Sequence, residues 1–238
     1  MSLQVHAAFL GQFGDALQFI FQERESTTGG AQVGGGQIWG LLLDHVWLCL
    51  LAMTIACAIA VPLGLVLGHT GRFGFLAINL SNVGRAVPTL ALVAFFVAFL
   101  GVGLLNVTVA LTLLAIPPIL TNTYVGVQQV DHEVVDAARG QGLTGAQVLR
   151  GIELPLALPL IMDGVRISTV NVIATAALAP LAGASSLGDP IIAYGVYGDT
   201  GRLAGSIMVA LLAISADLGI AALGRAATPA GLRLKPSS

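Results

Sequence analysis

Apolar residues along this chain come in long unbroken blocks and not in strand-like alternation. Val46 to Gly68 holds neither a charge nor a histidine, and about 20 mostly apolar residues suffice to cross a bilayer as a helix. The stretch from Ala86 to Val130 is uncharged throughout. As one helix it would reach roughly 68 Å, too long for one crossing and long enough for two. Its break is expected at Gly101-Val102-Gly103, where two glycines weaken a helix. The upstream member then runs from about Phe73 to Leu100, disturbed at Pro88. A fourth span is expected over Leu156 to Leu181 and a fifth over Leu203 to Leu223. The pattern predicts an all-α membrane protein of about five spans, with its termini on opposite sides.

The first 40 residues are different material. Asp15 interrupts the run from Met1 to Gln22 and no basic start precedes it, so neither a signal peptide nor a clean span fits. At about 100° per residue, Phe9, Leu10, Phe13, Ala16, Leu17 and Ile20 share one face and Gln12, Asp15, Gln18 and Gln22 another, with Phe19 misplaced. An amphipathic helix on the outer leaflet is the preferred reading and a sixth, weakly hydrophobic span the alternative. Ser26 to Gln37, rich in Gly and Thr, reads as a flexible linker, and Trp39 and Trp47 as interfacial anchors. The expected domains are residues 1–40, a membrane domain over 41–226 containing a polar loop at 131–155, and a tail over 227–238.

Composition agrees with the blocks. Hydrophobic residues make up 56% of the chain and charged residues 9%, against about 25% charged in soluble domains. The net charge of −2 and the scattered basic residues leave no patch for nucleic acid. Cys49 and Cys57 would lie roughly 12 Å apart on a helix, too far for a disulfide, and read as packing residues. Arg72, Arg139, Arg150, Arg225, Arg233 and Lys235 fall on one side of a five-span arrangement, against Arg24 and Arg202 on the other. Because positive charge near span ends favours the cytoplasm, the N-terminus is expected outside and the C-terminus inside.

The polar loop between Asp136 and Pro155 carries the strongest motif. Asp131 is placed to cap a first short helix, Glu133 to complement its positive end, Arg139 to sit in its last turn and Gly140 or Gly142 to end it. Thr144 with Gln147 has the spacing of a capping box that starts a second helix, and Pro155 is expected to end or kink that helix. Such caps suit any loop. The fuller pattern of Asp136, Ala137, Ala138, Gly142, Ile152, Leu154 and Pro155 at fixed spacing resembles the "EAA" loop of permease subunits of binding-protein-dependent ABC importers, with Asp in place of the more usual Glu.

That resemblance implies the type I ABC importer permease fold in a bacterial or archaeal cytoplasmic membrane. It also implies a second permease copy, ATP-binding subunits docked on the loop (Thr144 and Gln147 included) and an external substrate-binding protein. The chain has no G-x-x-x-x-G-K-[ST] phosphate loop, and its single lysine is Lys235, so ATP and Mg are expected on the partner. Metal-ligand clusters and catalytic triads are not found in the sequence, and no catalytic or metal role is assigned.

Arg85 to Leu92, Pro117 to Tyr124, Glu153 to Pro159 and Leu187-Gly188-Asp189 are similar to the branch of that family moving glycine betaine, choline and carnitine. Ser185, Ser186 and Asp163 depart from its pattern. Candidate translocation-path residues are Arg85, Pro88, Asn122, Asn171 and Thr175, because a charge at bilayer depth is functional by default and polar side chains can line a wet path. The bland reading of Arg85 is a pair with Asp163 or Asp217; Asp163 and Arg166 are also spaced to pair with each other. Asn and Thr more commonly bond neighbouring helices. The alternatives are a permease for another small solute, an amino acid or sulfonate, and an ion-coupled secondary transporter, which should carry internal repeats.

The charge asymmetry generates a topology test. A cysteine placed near Thr144 should react with a membrane-impermeant thiol reagent only from the cytoplasmic side, and one near Tyr197 only from outside; the reverse labelling overturns the orientation.

Overall fold

The computed structural model describes residues 2–71 and 88–228. Helix α1 (Ser2–Phe21) leads into an antiparallel hairpin of β1 (Glu23–Glu25) and β2 (Gln32–Gly34), then α2 (Gly36–Thr70), α3 (Thr89–Leu100) and α4 (Leu104–Gln128). The polar loop contains α5 (His132–Gly140), then α6 (Gly145–Val148), which passes through a π turn (Leu149–Glu153) into α7 (Leu154–Ala176). A 3₁₀ turn (Ala179–Ala182), the short α8 (Asp189–Ile192) and α9 (Tyr194–Ala227) complete the order. Among the described residues four helices are long and apolar enough to cross a membrane: Gly36–Thr70, Leu104–Gln128, Gly145–Ala176 and Tyr194–Ala227. The twelve residues of α3 are the described part of the expected Phe73 to Leu100 span; its beginning, with Arg85, lies outside the described residues.

The break expected at Gly101 to Gly103 is present, with φ of 74° and 132° at the two glycines. α2 and α9 run longer than the sequence-based spans, while α7 ends at Ala176, short of the expected Leu181. At about 1.5 Å per residue, α2 and the part of α9 beyond its kink at Gly198 (φ 65°) outrun a hydrocarbon core of about 30 Å, so apolar blocks alone locate their middles and miss their polar ends.

The described residues group into two compact units. The first holds Met1–Leu51, Thr89–Leu111 and Val172–Ile214, and two expectations are corrected there. The Ser26 to Gln37 stretch is no loose linker. Its hairpin is tied to the start of α9, where the Thr27 N–H donates to the Val196 carbonyl at 3.1 Å and the Thr27 hydroxyl donates to the Gly195 carbonyl. The face of α1 also differs from the wheel reading, since Ala16, Phe19 and Ile20 are buried against Val33, Ile38, Leu41, Leu187 and Ala204. Phe13 and Leu17 stay exposed. A wheel ranks residues by their own helix, whereas the covering surface here comes from the hairpin and from residues 187–208. His45 is fully buried, with Nε2 3.1 Å from the Ile173 carbonyl.

The second unit holds the described residues of Ala52–Pro88, Thr112–Asn171 and Ser215–Ser238. Between apolar helices in a bilayer there is little hydrophobic drive, so contact comes from small residues that let backbones approach and from side-chain hydrogen bonds. Gly64 and Gly68 of α2 supply the first: a Cβ added there would stand 2.6 Å from Thr123 Cβ and 2.6 Å from Val127 Cβ of α4. Gln128 Nε2 donates to the Gly68 carbonyl at 2.6 Å and Ser168 Oγ to the Ala115 carbonyl at 2.9 Å. The expected Asp163–Arg166 pair is absent. Arg166 instead forks onto both carboxylate oxygens of Asp217 on α9, Nη2 to Oδ2 at 2.6 Å, because a two-point carboxylate contact satisfies the guanidinium geometry better than a neighbour three residues away on the same helix.

Gly68→Leu should cost about 1–3 kcal/mol by overpacking, read as an earlier thermal midpoint of the purified protein in detergent. An unchanged midpoint would show that the contact at Val127 tolerates a side chain.

Candidate functional site: the polar loop

The loop folds as two short helices around a small core of its own. Asp131 Oδ1 accepts from the Glu133 N–H at 2.8 Å, capping α5 as expected, and Glu133 and Arg139 occupy the first and last turns. The helix ends in paired bonds: the Gly142 N–H donates to the Arg139 carbonyl at 2.9 Å and the Leu143 N–H to the Ala138 carbonyl at 3.2 Å. This is a Schellman closure, which requires a left-handed residue between the two. Gly142, at φ 89°, is that residue, so of the two glycines suggested by the sequence it is Gly142 that turns the chain. No atom lies within 4 Å of a Cβ added there, so the requirement is one of backbone conformation and not of space.

The capping box at the start of α6 is present. Gln147 Oε1 accepts from the Thr144 N–H at 2.8 Å and from the Thr144 hydroxyl at 3.0 Å. Beyond it, Pro155 does not end the helix. Proline has no N–H to donate and crowds the carbonyl four residues back; the turn just before it widens to the π form, with the Leu154 N–H reaching Leu149 O, and the helix runs on to Ala176.

The motif residues divide into two groups. Asp136, Ala137, Gly142, Thr144 and Gln147 are exposed. Ala138 is buried with Val130, Val135 and Val148, and Ile152 packs on that cluster, while Leu154 packs on Val127, Ala157 and Ile161. Pro155 is half-buried. The first group forms a surface and the second anchors it, so Ala138 serves the loop's own core and not a partner's approach. Sequence reasoning missed Val134, 44% exposed one turn before the exposed Ala137 of α5. Its signal was an apolar residue on the Ala137 face. It also missed Glu153, buried inside the motif with Oε2 2.6 Å from His69 Nδ1.

The candidate path residues differ in burial. Asn122 is half-buried with Nδ2 donating to the Pro118 carbonyl at 2.8 Å, a helix-internal bond. Asn171 and Pro88 are exposed and Thr175 is half-buried; Arg85 falls outside the described residues. At the divergent Ser186, the buried hydroxyl donates to the Ala176 carbonyl and accepts from the Gly188 N–H, both at 2.9 Å, bonds that a glycine there would forfeit. The Ser186 N–H donates to Asp189 Oδ2 at 2.8 Å. Burial pushes the Asp189 carboxyl pKa up, against the pull of that bond.

Residues 60–228 match the protein family described as "Binding-protein-dependent transport system inner membrane component". The chain is 38% identical to the choline transport system permease protein OpuBB of Bacillus subtilis, over 87% of this chain and 96% of that protein. It is 36% identical to the glycine betaine/carnitine/choline transport system permease protein OpuCB of the same organism, over 85% and 94%. The carnitine transport permease protein OpuCB of Listeria monocytogenes is 37% identical over 80% and 88%. An inward-facing structure of the MetNI methionine ABC transporter shares the fold, with a TM-score of 0.71 at 21% identity over 82% of this chain and 100% of that one.

Gly142→Ala should place a Cβ in a left-handed conformation at a cost of about 1–2 kcal/mol. Amide exchange over residues 136–147 in the purified protein should quicken by roughly 5- to 30-fold with little change elsewhere. Unaltered exchange would contradict the Schellman closure.

Proposed function

The chain belongs to the family of binding-protein-dependent transport inner membrane components, a multi-pass protein of the cytoplasmic membrane, and on that premise we propose that it is the transmembrane subunit of an ATP-driven importer of quaternary ammonium osmoprotectants: choline, glycine betaine or carnitine. The observation that carries this reading is the near full-length similarity to permeases named for those solutes. Family membership brings an ATPase and a substrate-binding protein as partners. The finer assembly is part of the proposal: two permease copies, identical or not, form the path, and ATP with Mg sits on separate ATP-binding subunits. These dock on the exposed Asp136, Ala137, Gly142, Thr144 and Gln147. An external binding protein delivers the solute.

The folding of the loop supports a docking role. A knob closed by a Schellman turn, a capping box and a valine core moves as one piece, and a partner pressing on its exposed group would displace the anchored group with it. Arg85, Pro88, Asn122, Asn171 and Thr175 remain the proposed path residues. The chain has three Tyr and two Trp beside nine Phe; selectivity for the quaternary ammonium, which an aromatic cage would read, is assigned to the binding protein. The family offers no support for an ion-coupled mechanism.

Reconstituted with its ATP-binding subunit and binding protein, the permease should hydrolyse ATP faster when the binding protein is loaded with choline, glycine betaine or carnitine than when it is offered an amino acid or a sulfonate. Stimulation by an amino acid alone would transfer the importer to another substrate branch. In the same assay Gly142→Leu should leave membrane insertion intact and depress ATP-driven uptake at least tenfold; normal uptake would count against the docking role.

A further inference from the structure

Among the described residues, Glu153 is the buried carboxylate of the loop region, 4% exposed, and it sits in the π turn between the knob and α7. Burying a carboxylate is costly unless it is paired. Its partner is His69 in the last turn of α2, with Nδ1 2.6 Å from Oε2; an ionised carboxylate only accepts, so the imidazole N–H donates. The other side of the same ring faces the start of α6, where a Cβ added to Gly145 would stand 3.0 Å from His69 Nε2. One imidazole is therefore wedged between the first residue of α6 and the last residue of the π turn. A cavity of about 270 Å³ lined by His69, Gln128, His132, Arg139 and Glu153 lies beside it.

The end of α2 that carries His69 is itself fastened. Gly68, next in the chain, is bonded through its carbonyl to Gln128 and lies against Val127. Displacement of the knob cannot leave His69 behind without exposing the Glu153 charge or closing on the ring, and His69 cannot move without drawing the Gly64 to Gly68 contact with α4.

The geometry points to His69 and Glu153 as positioning residues that carry movement of the cytoplasmic loop into α2. The inference rests on the importer reading above and adds to it a link outside the exposed docking group. The link predicts that breaking it leaves the ATPase docked and active but transmits less of its stroke.

The test uses the complete transporter in proteoliposomes, with ATP hydrolysis and solute uptake measured on the same preparation. His69→Ala and Glu153→Ala should each lower uptake per ATP hydrolysed at least fivefold, with the ATP-binding subunit still co-purifying and ATP hydrolysis largely kept. The double variant should be no worse than either single, as expected for two residues acting through one contact. Glu153→Gln, which retains an oxygen acceptor for the imidazole N–H, should recover most of the ratio, whereas Glu153→Leu, which fills similar volume without an acceptor, should not, a difference that loss of packing alone would not predict; the glutamine variant also carries the test should the alanine variants fail to assemble. Wild-type uptake with both alanine variants within twofold of its ratio, or Glu153→Gln as uncoupled as His69→Ala, overturns the link while leaving the importer reading intact. A wild-type complex showing no ATP-driven uptake overturns the reading and the link together.

Discussion

Close approach of helix backbones at small residues is the constraint on which the second unit depends. In lipid the tails solvate leucine as well as another helix does, so apolar side chains alone give α2, α4 and α7 little reason to associate. What joins them is geometry that lipid cannot supply: Gly64 and Gly68 seated on Thr123 and Val127, Gly126 on Ala157 and a few side-chain to carbonyl bonds. The Arg166–Asp217 pair fixes α9 onto the same group. With these in place, the end of α2 and the start of α7 are held at the positions the polar loop needs.

The loop then solves a local problem with short-range chemistry. In the proposed docking role it must hold its shape without the lateral support that membrane helices give each other. Asp131, Gly142 and the Thr144–Gln147 box satisfy helix ends that would otherwise fray, and Val130, Val135, Ala138 and Val148 give the knob an interior. The π turn before Pro155 lets the second helix continue into the membrane as one element. Stiffness from knob to span is what a family that works by an ATPase partner requires of its membrane subunit.

Features governed by neighbours in sequence were legible before the structure. The caps, the glycine stop at Gly142, the break at Gly101 to Gly103 and the apolar centres of the spans all depend on a few consecutive residues. What escaped depends on partners far away in the chain. The hairpin strands are three residues each, too short to show a period, and are held by bonds to residues 195 and 196. Phe19 is buried by surfaces its own helix pattern cannot reveal. Arg166 chose Asp217, 51 residues away, over the nearer Asp163, and Glu153 chose His69, 84 residues away. The motif itself was visible as spacing, but not its division into an exposed group and an anchoring group, since burial of Ala138 and Ile152 comes from the fold of the loop.

The central claim is that this chain supplies the pathway and the lever while a separate subunit supplies the energy. The most direct measurement is ATP binding by the purified chain with and without its ATP-binding subunit, alongside uptake in vesicles energised either by ATP or by an ion gradient. The account predicts no saturable ATP binding by the chain alone, stable association with the ATP-binding subunit through residues 136–147, and uptake only with ATP. Saturable ATP binding by this polypeptide, or uptake driven by an ion gradient without any ATPase, would contradict it.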